Sequence, residues 1–301
     1  MNICQLPCPL KPNDLLRVIA PSGALRELDA FHKGVNLWRS RGYRIELSPG
    51  FDQRWGYLAG TDDMRRQQLR DALNDSDCRG VLCARGGYGG ARLLEDWSWK
   101  SSEPKWLIGF SDITALLMSL GKQGVSGLHG ALLTTIAAEP DWSLDRLFDW
   151  VEGRPIPPLT GTGWGNGKTT GVLLPVNLTV ATHLLGTPVQ PDLSNVILAI
   201  EDVSEAPYRI DRMLTQWRLC GALRQLKGIA IGRFSQSEVS TPSFTMEQVW
   251  RDRLSDLGIP VVMHLPFGHD GENAPLPVGC NAEIDANLGI LTYHRLLPNS
   301  L

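Results

Sequence analysis

The first half of the chain alternates short apolar runs with segments of helical periodicity. Residues 15–20 (LLRVIA) form a run of strand length, stopped by Pro21-Ser22-Gly23. Between residues 25 and 41 the apolar positions Leu28, Phe31, Val35 and Trp38 fall at the spacing of one helix face, and Gly42 ends the run. Residues 43–47 alternate as a strand. Thr61 is placed to cap a polar helix through Leu73, with Asp62 and Asp63 favourable in its first turn. Residues 80–84 (GVLCA) and 105–110 (KWLIGF) read as further strands. The first runs into Arg85-Gly86-Gly87-Tyr88-Gly89-Gly90, and the second into Ser111-Asp112 ahead of an apolar helix over 113–120. This β-α-β-α rhythm predicts a parallel sheet covered by helices on both faces.

From about 151 to 170 the rhythm breaks. Gly153-Arg154-Pro155-Ile156-Pro157-Pro158 and Gly161-Thr162-Gly163-Trp164-Gly165-Asn166-Gly167 are too dense in Pro and Gly for a helix, and read as an interdomain linker or a surface loop. Beyond it come an apolar segment (172–185), a strand (196–200) and an amphipathic helix (208–220) stopped by Gly221. A strand (228–232), a helix (246–257) and a strand (261–265) follow. Residues 282–293 read as a β-hairpin around Asn287-Leu288-Gly289. The expected organisation is an N-terminal domain (1–150), a linker (151–170) and a smaller C-terminal domain (171–301).

Composition narrows the function. A chain of 301 residues has room for two domains. With 29 Lys and Arg against 32 Asp and Glu the net charge is −3, which lacks the basic surface a general nucleic-acid binder needs. No run approaches the ~20 apolar residues of a membrane span. The first residues have neither the basic nor the apolar region of a secretory signal, so none is expected. The six cysteines show no C-x-x-C pair and no zinc spacing, and Cys83 and Cys220 read as buried small hydrophobes. A reducing, cytoplasmic setting is expected. No H-E-x-x-H pattern occurs, and no metal or other cofactor is expected.

Candidate chemistry gathers at the strand ends. Ser111, after Gly109-Phe110, sits at a strand-to-helix corner, where it is either a helix N-cap or the nucleophile of an elbow. The glycines of the 85–90 loop let backbone amides approach a ligand. The loop is either a tight turn or the source of an oxyanion-hole donor beside Ser111. Glu201-Asp202 ends a strand, so Glu201 either pairs with Arg209 or Arg212 or orients a histidine. Among the histidines, His32 and His294 read as surface residues and His183 as a core residue. His129 reads equally as structural or as a substrate contact. His269 lies in a Gly/Pro-rich loop after a strand, a suitable place for a general base.

Five segments in order resemble the serine LD-carboxypeptidases. They are Ile19-Ala20-Pro21-Ser22-Gly23, Ala84-Arg85-Gly86-Gly87-Tyr88-Gly89, Gly109-Phe110-Ser111-Asp112, the stretch from Glu201 to Arg212 (EDVSEAPYRIDR), and Phe267-Gly268-His269 followed by Leu276-Pro277-Val278-Gly279. The resemblance covers residues from about 15 to 295, and the family's relatives include peptidases that give self-immunity to microcin C. It implies a Ser-Glu-His triad at Ser111, Glu201 and His269. Many members have Gly-Gly-Asn-Leu where this chain has Pro175-Val176-Asn177-Leu178, which leaves only Asn177 and Leu178 of that segment comparable.

The fold expected from pattern and resemblance together is two α/β domains. The N-terminal one carries a flavodoxin- or amidotransferase-like parallel sheet, and the site lies where the two meet. An oxyanion hole is expected from the amides of Asp112 and of Gly86 or Gly87. A substrate carboxylate would be held by Arg85 or Arg209, because a guanidinium can pair with it through two hydrogen bonds, unless Arg209 pairs with Glu205 or Asp211 and only holds its helix. The expected activity is removal of the terminal D-alanine from murein tetrapeptides recovered in the cytoplasm, by a homodimer acting on a small peptide. Two other readings stand beside it. One is an amidase cleaving peptidyl or aminoacyl nucleotides, with Trp164 stacking on a base. The other is a non-catalytic protein that holds an anion on the 85–90 loop.

Overall fold

The alternation in the first half folds as a parallel sheet. The computed structural model describes residues 1–95, 97–100, 103–165, 167–239 and 242–295. In it β1 (Leu15–Ile19), β2 (Arg44–Leu47), β3 (Cys78–Cys83), β4 (Trp106–Gly109) and β5 (Leu128–His129) lie side by side in the order β5-β4-β3-β1-β2, all parallel. The helices α1 (Leu28–Ser40), α2 (Asp62–Asn74), α3 (Thr114–Lys122) and α4 (Asp141–Val151) connect or follow these strands. α1 buries Phe31, Val35 and Trp38 as the periodicity predicts, while Leu28 at its first position is half exposed. Thr61 caps α2, its side chain accepting the Met64 N–H.

The second half carries the larger sheet. The strands β6 (Leu159–Thr160), β7 (Thr162–Trp164), β8 (Lys168–Asn177), β9 (Val196–Val203), β10 (Gly228–Ser235) and β11 (Val261–Met263) come first in the chain. Next come β12 (Leu276–Pro277), then β13 (Asn281–Asp285) and β14 (Ile290–His294). The eight-stranded order is β6-β14-β13-β8-β9-β10-β11-β7. Its centre, β8 to β11, is parallel and its flanks are antiparallel. Three helices belong to this half: α5 (Leu178–Leu184), α6 (Pro207–Leu219) and α7 (Met246–Leu254). The hairpin expected over 282–293 is present as β13 and β14.

Within the segment expected as a linker or surface loop, residues 159–160 and 162–164 are strands. β6 and β7 are separated by Gly161 alone, yet they pair with opposite edges of the sheet, which curls until both edges meet there. The glycines serve close backbone approach: a Cβ on Gly161 would lie 2.2 Å from the Met263 carbonyl oxygen, and one on Gly163 would lie 1.8 Å from that of Ala286. Trp164 is therefore a half-buried strand residue, with the Arg251 guanidinium 5.3 Å from its ring centroid.

The expected boundary is also too clean. β12, from the C-terminal half, pairs antiparallel with β5 and becomes an edge of the first sheet. Near the N-terminus, the Cys4 N–H donates to Gly279 O at 2.8 Å. Both apolar cores draw on both halves, one with Leu116 against Leu174 and Ile200, the other with Leu82 and Ile108 beside Leu173 and Ala282. Burial of these side chains, at roughly 1.5–3 kcal/mol each, holds the two sheets in one arrangement. Cys83 is buried as expected, but Cys220, at the outer end of α6, is exposed.

Candidate active site

Ser111 stands at the carboxyl end of β4 with φ +62°, the left-handed region that a residue with a Cβ seldom occupies. A 3-10 turn over Ser111–Ile113 follows and leads directly into α3. This strand-turn-helix corner lifts the side chain out of the sheet in the manner of a nucleophile elbow. Two residues earlier a glycine is required, because a Cβ on Gly109 would lie 2.9 Å from Ile113 Cγ1 and 3.0 Å from Cys83 Cβ.

The glycine loop after β3 lies against this serine. A Cβ on Gly86 would be 3.2 Å from Ser111 Oγ, so only glycine brings its backbone so near. Gly87 and Gly89 take φ values of +108° and +120°. The Gly86 carbonyl accepts the Gly23 N–H at 3.1 Å, which ties the loop to the Pro21-Ser22-Gly23 turn after β1. Asp112 points its buried carboxylate back at the same loop and accepts the Gly90 N–H at 2.7 Å. Burial pushes that carboxyl above the usual carboxylate range.

The other members come from the second sheet. Glu201, on β9, is fully buried beside Asn177 of β8. Its Oε2 is 2.6 Å from His269 Nδ1, and its Oε1 accepts the Asn177 side-chain N–H at 3.3 Å. His269 sits in the loop after β11, shaped by Gly268 at φ +112°, where a Cβ would lie 2.9 Å from Glu201 Cβ. Asn273 accepts the Gly268 N–H at 3.0 Å, and Arg233 donates to the carbonyls of His269 and Glu272, both at 3.1 Å. The His269 ring packs 4.6 Å from that of Phe110, the residue immediately before Ser111. Burial pulls the His269 pKa down, but the hydrogen bond to Glu201 and its charge outweigh this, and the net direction is up. Burial also pushes the Glu201 carboxyl up.

Thus Ser111, Gly86, Gly87, Asp112, Glu201 and His269 gather where the two sheets meet. Arg85 and Arg209 each have a carboxylate partner. Arg85 pairs through Nε with Glu27 at 3.0 Å while lying along the glycine loop, and Arg209 is exposed on α6 with Tyr208 and Glu205 as partners. His183, expected in the core, is exposed, its Nδ1 2.7 Å from the Thr179 carbonyl oxygen one turn back on α5. His129 is fully buried with neither ring nitrogen hydrogen-bonded, and burial drives its pKa down to about 3. Its ring lies 5.7 Å from Phe110, on which His269 also packs.

Three contributors escape a reading of residue types. Asn177 bridges Glu201 and Asp202 while its Oδ1 caps α5. Asp202 accepts the Thr179 N–H and hydroxyl, both at 2.8 Å. Phe110 supplies the apolar contact to the histidine. For Asn177 the available signals were an Asn closing an apolar strand ahead of a helix and its match to the family's Gly-Gly-Asn-Leu segment. Among the described residues no group of three or more His, Cys, Asp and Glu side chains is placed to hold a metal ion.

The LD-carboxypeptidase N-terminal domain matches residues 16–130 and the C-terminal domain residues 170–284. The chain belongs to the LD-carboxypeptidase family. It is 58% identical, over 95% of its length and 96% of the other's, to a Synechocystis sp. protein with the provisional name carboxypeptidase. The crystal structure of muramoyltetrapeptide carboxypeptidase from Oxalobacter formigenes superposes with a TM-score of 0.79 at 31% identity, covering 92% of this chain and 97% of that one. The microcin C7 self-immunity protein MccF, wild type without ligand, gives a TM-score of 0.88 at 19% identity over 97% and 99% of the two chains, a likeness of fold.

Proposed function

We propose that this LD-carboxypeptidase is a serine enzyme that removes the terminal D-alanine from murein tetrapeptide. The observation that carries the reading is the 2.6 Å contact of His269 Nδ1 with a fully buried Glu201, on the ring that packs against the residue before a left-handed Ser111. Ser111 Oγ attacks the carbonyl carbon of the bond to D-alanine while His269 Nε2 takes its proton. The Nδ1–H stays on the imidazole and donates to Glu201, which fixes the tautomer and stabilises the cation. The tetrahedral oxyanion is received by the Asp112 N–H and an N–H of Gly86 or Gly87. His269 then gives its proton to the departing D-alanine nitrogen. A water activated by the same histidine releases the acyl chain from Ser111.

For the substrate's free carboxylate Arg85 is the better placed of the two candidates. Its Nη1 would lie 2.5 and 2.9 Å from Cβ atoms on Gly23 and Gly87, so it borders the loop against which Ser111 lies. A role in recycling muropeptides in the cytoplasm follows from this reading, and no helix among the described residues is long and apolar enough to cross a membrane. Incubation with the free tetrapeptide and with an aminoacyl adenylate analogue tests the substrate class. Release of D-alanine from the first and no nucleotide from the second is expected. The reverse would favour the amidase reading.

A further inference from the structure

Beneath the glycine loop lies an arginine that the mechanism above does not use. Arg65, on α2, has no exposed surface. Its Nη1 donates to the carbonyls of Pro21 and, at 2.9 Å, Gly89, and its Nη2 pairs with Asp62. Arg92 grips Asp62 from the outer side, with Nε and Nη2 at 3.0 and 2.7 Å from its Oδ2. Asp112 approaches the loop separately and accepts the Gly90 N–H at 2.7 Å.

Two neighbouring loop residues are therefore held in complementary senses, Gly89 by its carbonyl and Gly90 by its N–H. There is little slack. A Cβ on Gly89 would lie 2.5 Å from Leu58 Cδ2 and 2.8 Å from Arg65 Nη1, and one on Gly90 would lie 2.9 Å from Asp112 Oδ2. Through Pro21, Arg65 also fixes the turn whose Gly23 N–H holds the Gly86 carbonyl. A buried charged group contributes little to stability that apolar packing could not supply. An oxyanion donor, in contrast, must be placed within a few tenths of an ångström. Asp112 joins the two requirements, since its amide is one proposed donor and its carboxylate anchors the loop that supplies the other.

We propose that Arg65 and the Asp112 carboxylate are positioning residues for the oxyanion hole, holding the 86–90 loop at the distance from Ser111 at which its amide receives the developing charge. The inference rests on the serine mechanism proposed above. It is tested with Asp112→Ala, Asp112→Asn, Arg65→Met and Gly90→Ala. The readouts are kcat and KM for D-alanine release, the rate of Ser111 labelling by a fluorophosphonate, and amide hydrogen exchange over 86–90. Asp112→Ala should lower kcat by roughly 100-fold, the scale of one lost oxyanion donor, with KM nearly unchanged and faster exchange in the loop. Asp112→Asn, which keeps an acceptor for the Gly90 N–H, should recover most of that loss. Gly90→Ala should give the same signature with both charged groups intact, so the test stands even where Arg65→Met does not fold. Should the wild-type protein release no D-alanine, the peptide reading fails, while labelling and exchange still decide the role of the clamp. A raised KM at unchanged kcat, loop exchange unaltered in Asp112→Ala and Gly90→Ala, or Asp112→Asn as slow as Asp112→Ala would overturn the proposal.

Discussion

The backbone N–H of Asn177 donates to the side-chain oxygen of Thr114 at 2.9 Å. Thr114 opens α3, three residues after Ser111, and Asn177 closes β8 beside Glu201. One buried bond thus joins the segment that carries the serine to the strand pair that carries the carboxylate. The site is assembled from two sheets, so its geometry depends on how they are seated against each other.

Thr114→Val removes the acceptor at nearly constant volume and strands a buried N–H. The expected cost is about 1–3 kcal/mol, with D-alanine release reduced together with stability. Thr114→Ser keeps the hydroxyl and should restore both. Chemical denaturation beside the release assay measures the pair of effects; a Val variant as stable and active as wild type would show that this bond does not seat the sheets.

The pH dependence of activity follows from His269. In the proposed mechanism it is the base and must be neutral, and its pKa is raised above the ordinary 6.5 because the Glu201 hydrogen bond and charge outweigh burial. The acid limb of kcat/KM should therefore have its midpoint above 6.5. The sign for stability is opposite: the charged pair favours the fold below pH 6.5, and that contribution is lost as pH rises through the raised pKa. Glu201→Gln removes the charge, so the limb should move to lower pH and kcat should fall by roughly 10³-fold or more. A pH–rate profile of both proteins checks this, and a limb that stays in place in the variant would assign the titration to another group.

His129 is expected to act in the opposite direction. It is buried neutral, its pKa held at about 3 against 6.5 when free. In the unfolded chain it binds a proton below pH 6.5, so stability is lost as pH falls through the window from 6.5 to about 3. His129→Phe lacks this liability. Relative to wild type, the variant should gain about 2–3 kcal/mol between pH 7.5 and 4.5, at ~1.4 kcal/mol per pH unit. Denaturation curves at the two values measure the difference, and parallel behaviour of the two proteins would contradict burial of a neutral ring.

The alternation of apolar runs and helical faces made the first sheet legible, because β1, β3 and β4 are buried along nearly all their length, α1 shows one apolar stripe, and β2, at the edge, alternates exposed with half-buried positions. The Ser111 corner, the glycine loop and the turn before His269 were legible for a related reason: Gly109, Gly86 and Gly268 stand where a side chain would crowd its neighbours, and glycine beside a Ser or His is visible in a sequence. The same property misled at 159–164. There the glycines permit strands to close a curled sheet, and by composition alone they cannot be told from loop glycines. β12 is two residues long and pairs across the halves, so no local pattern announces it. Asn177 and Arg65 take their roles from partners more than twenty residues away, which spacing along one chain does not encode.

The most direct measurement is D-alanine release from the free murein tetrapeptide by the wild-type protein and by Ser111→Ala, with thermal melting of both as the folding control. The account predicts release by the wild type and a loss of roughly 10³-fold or more in the variant at unchanged melting temperature, since triad members act as a unit. Near wild-type release by Ser111→Ala would contradict it.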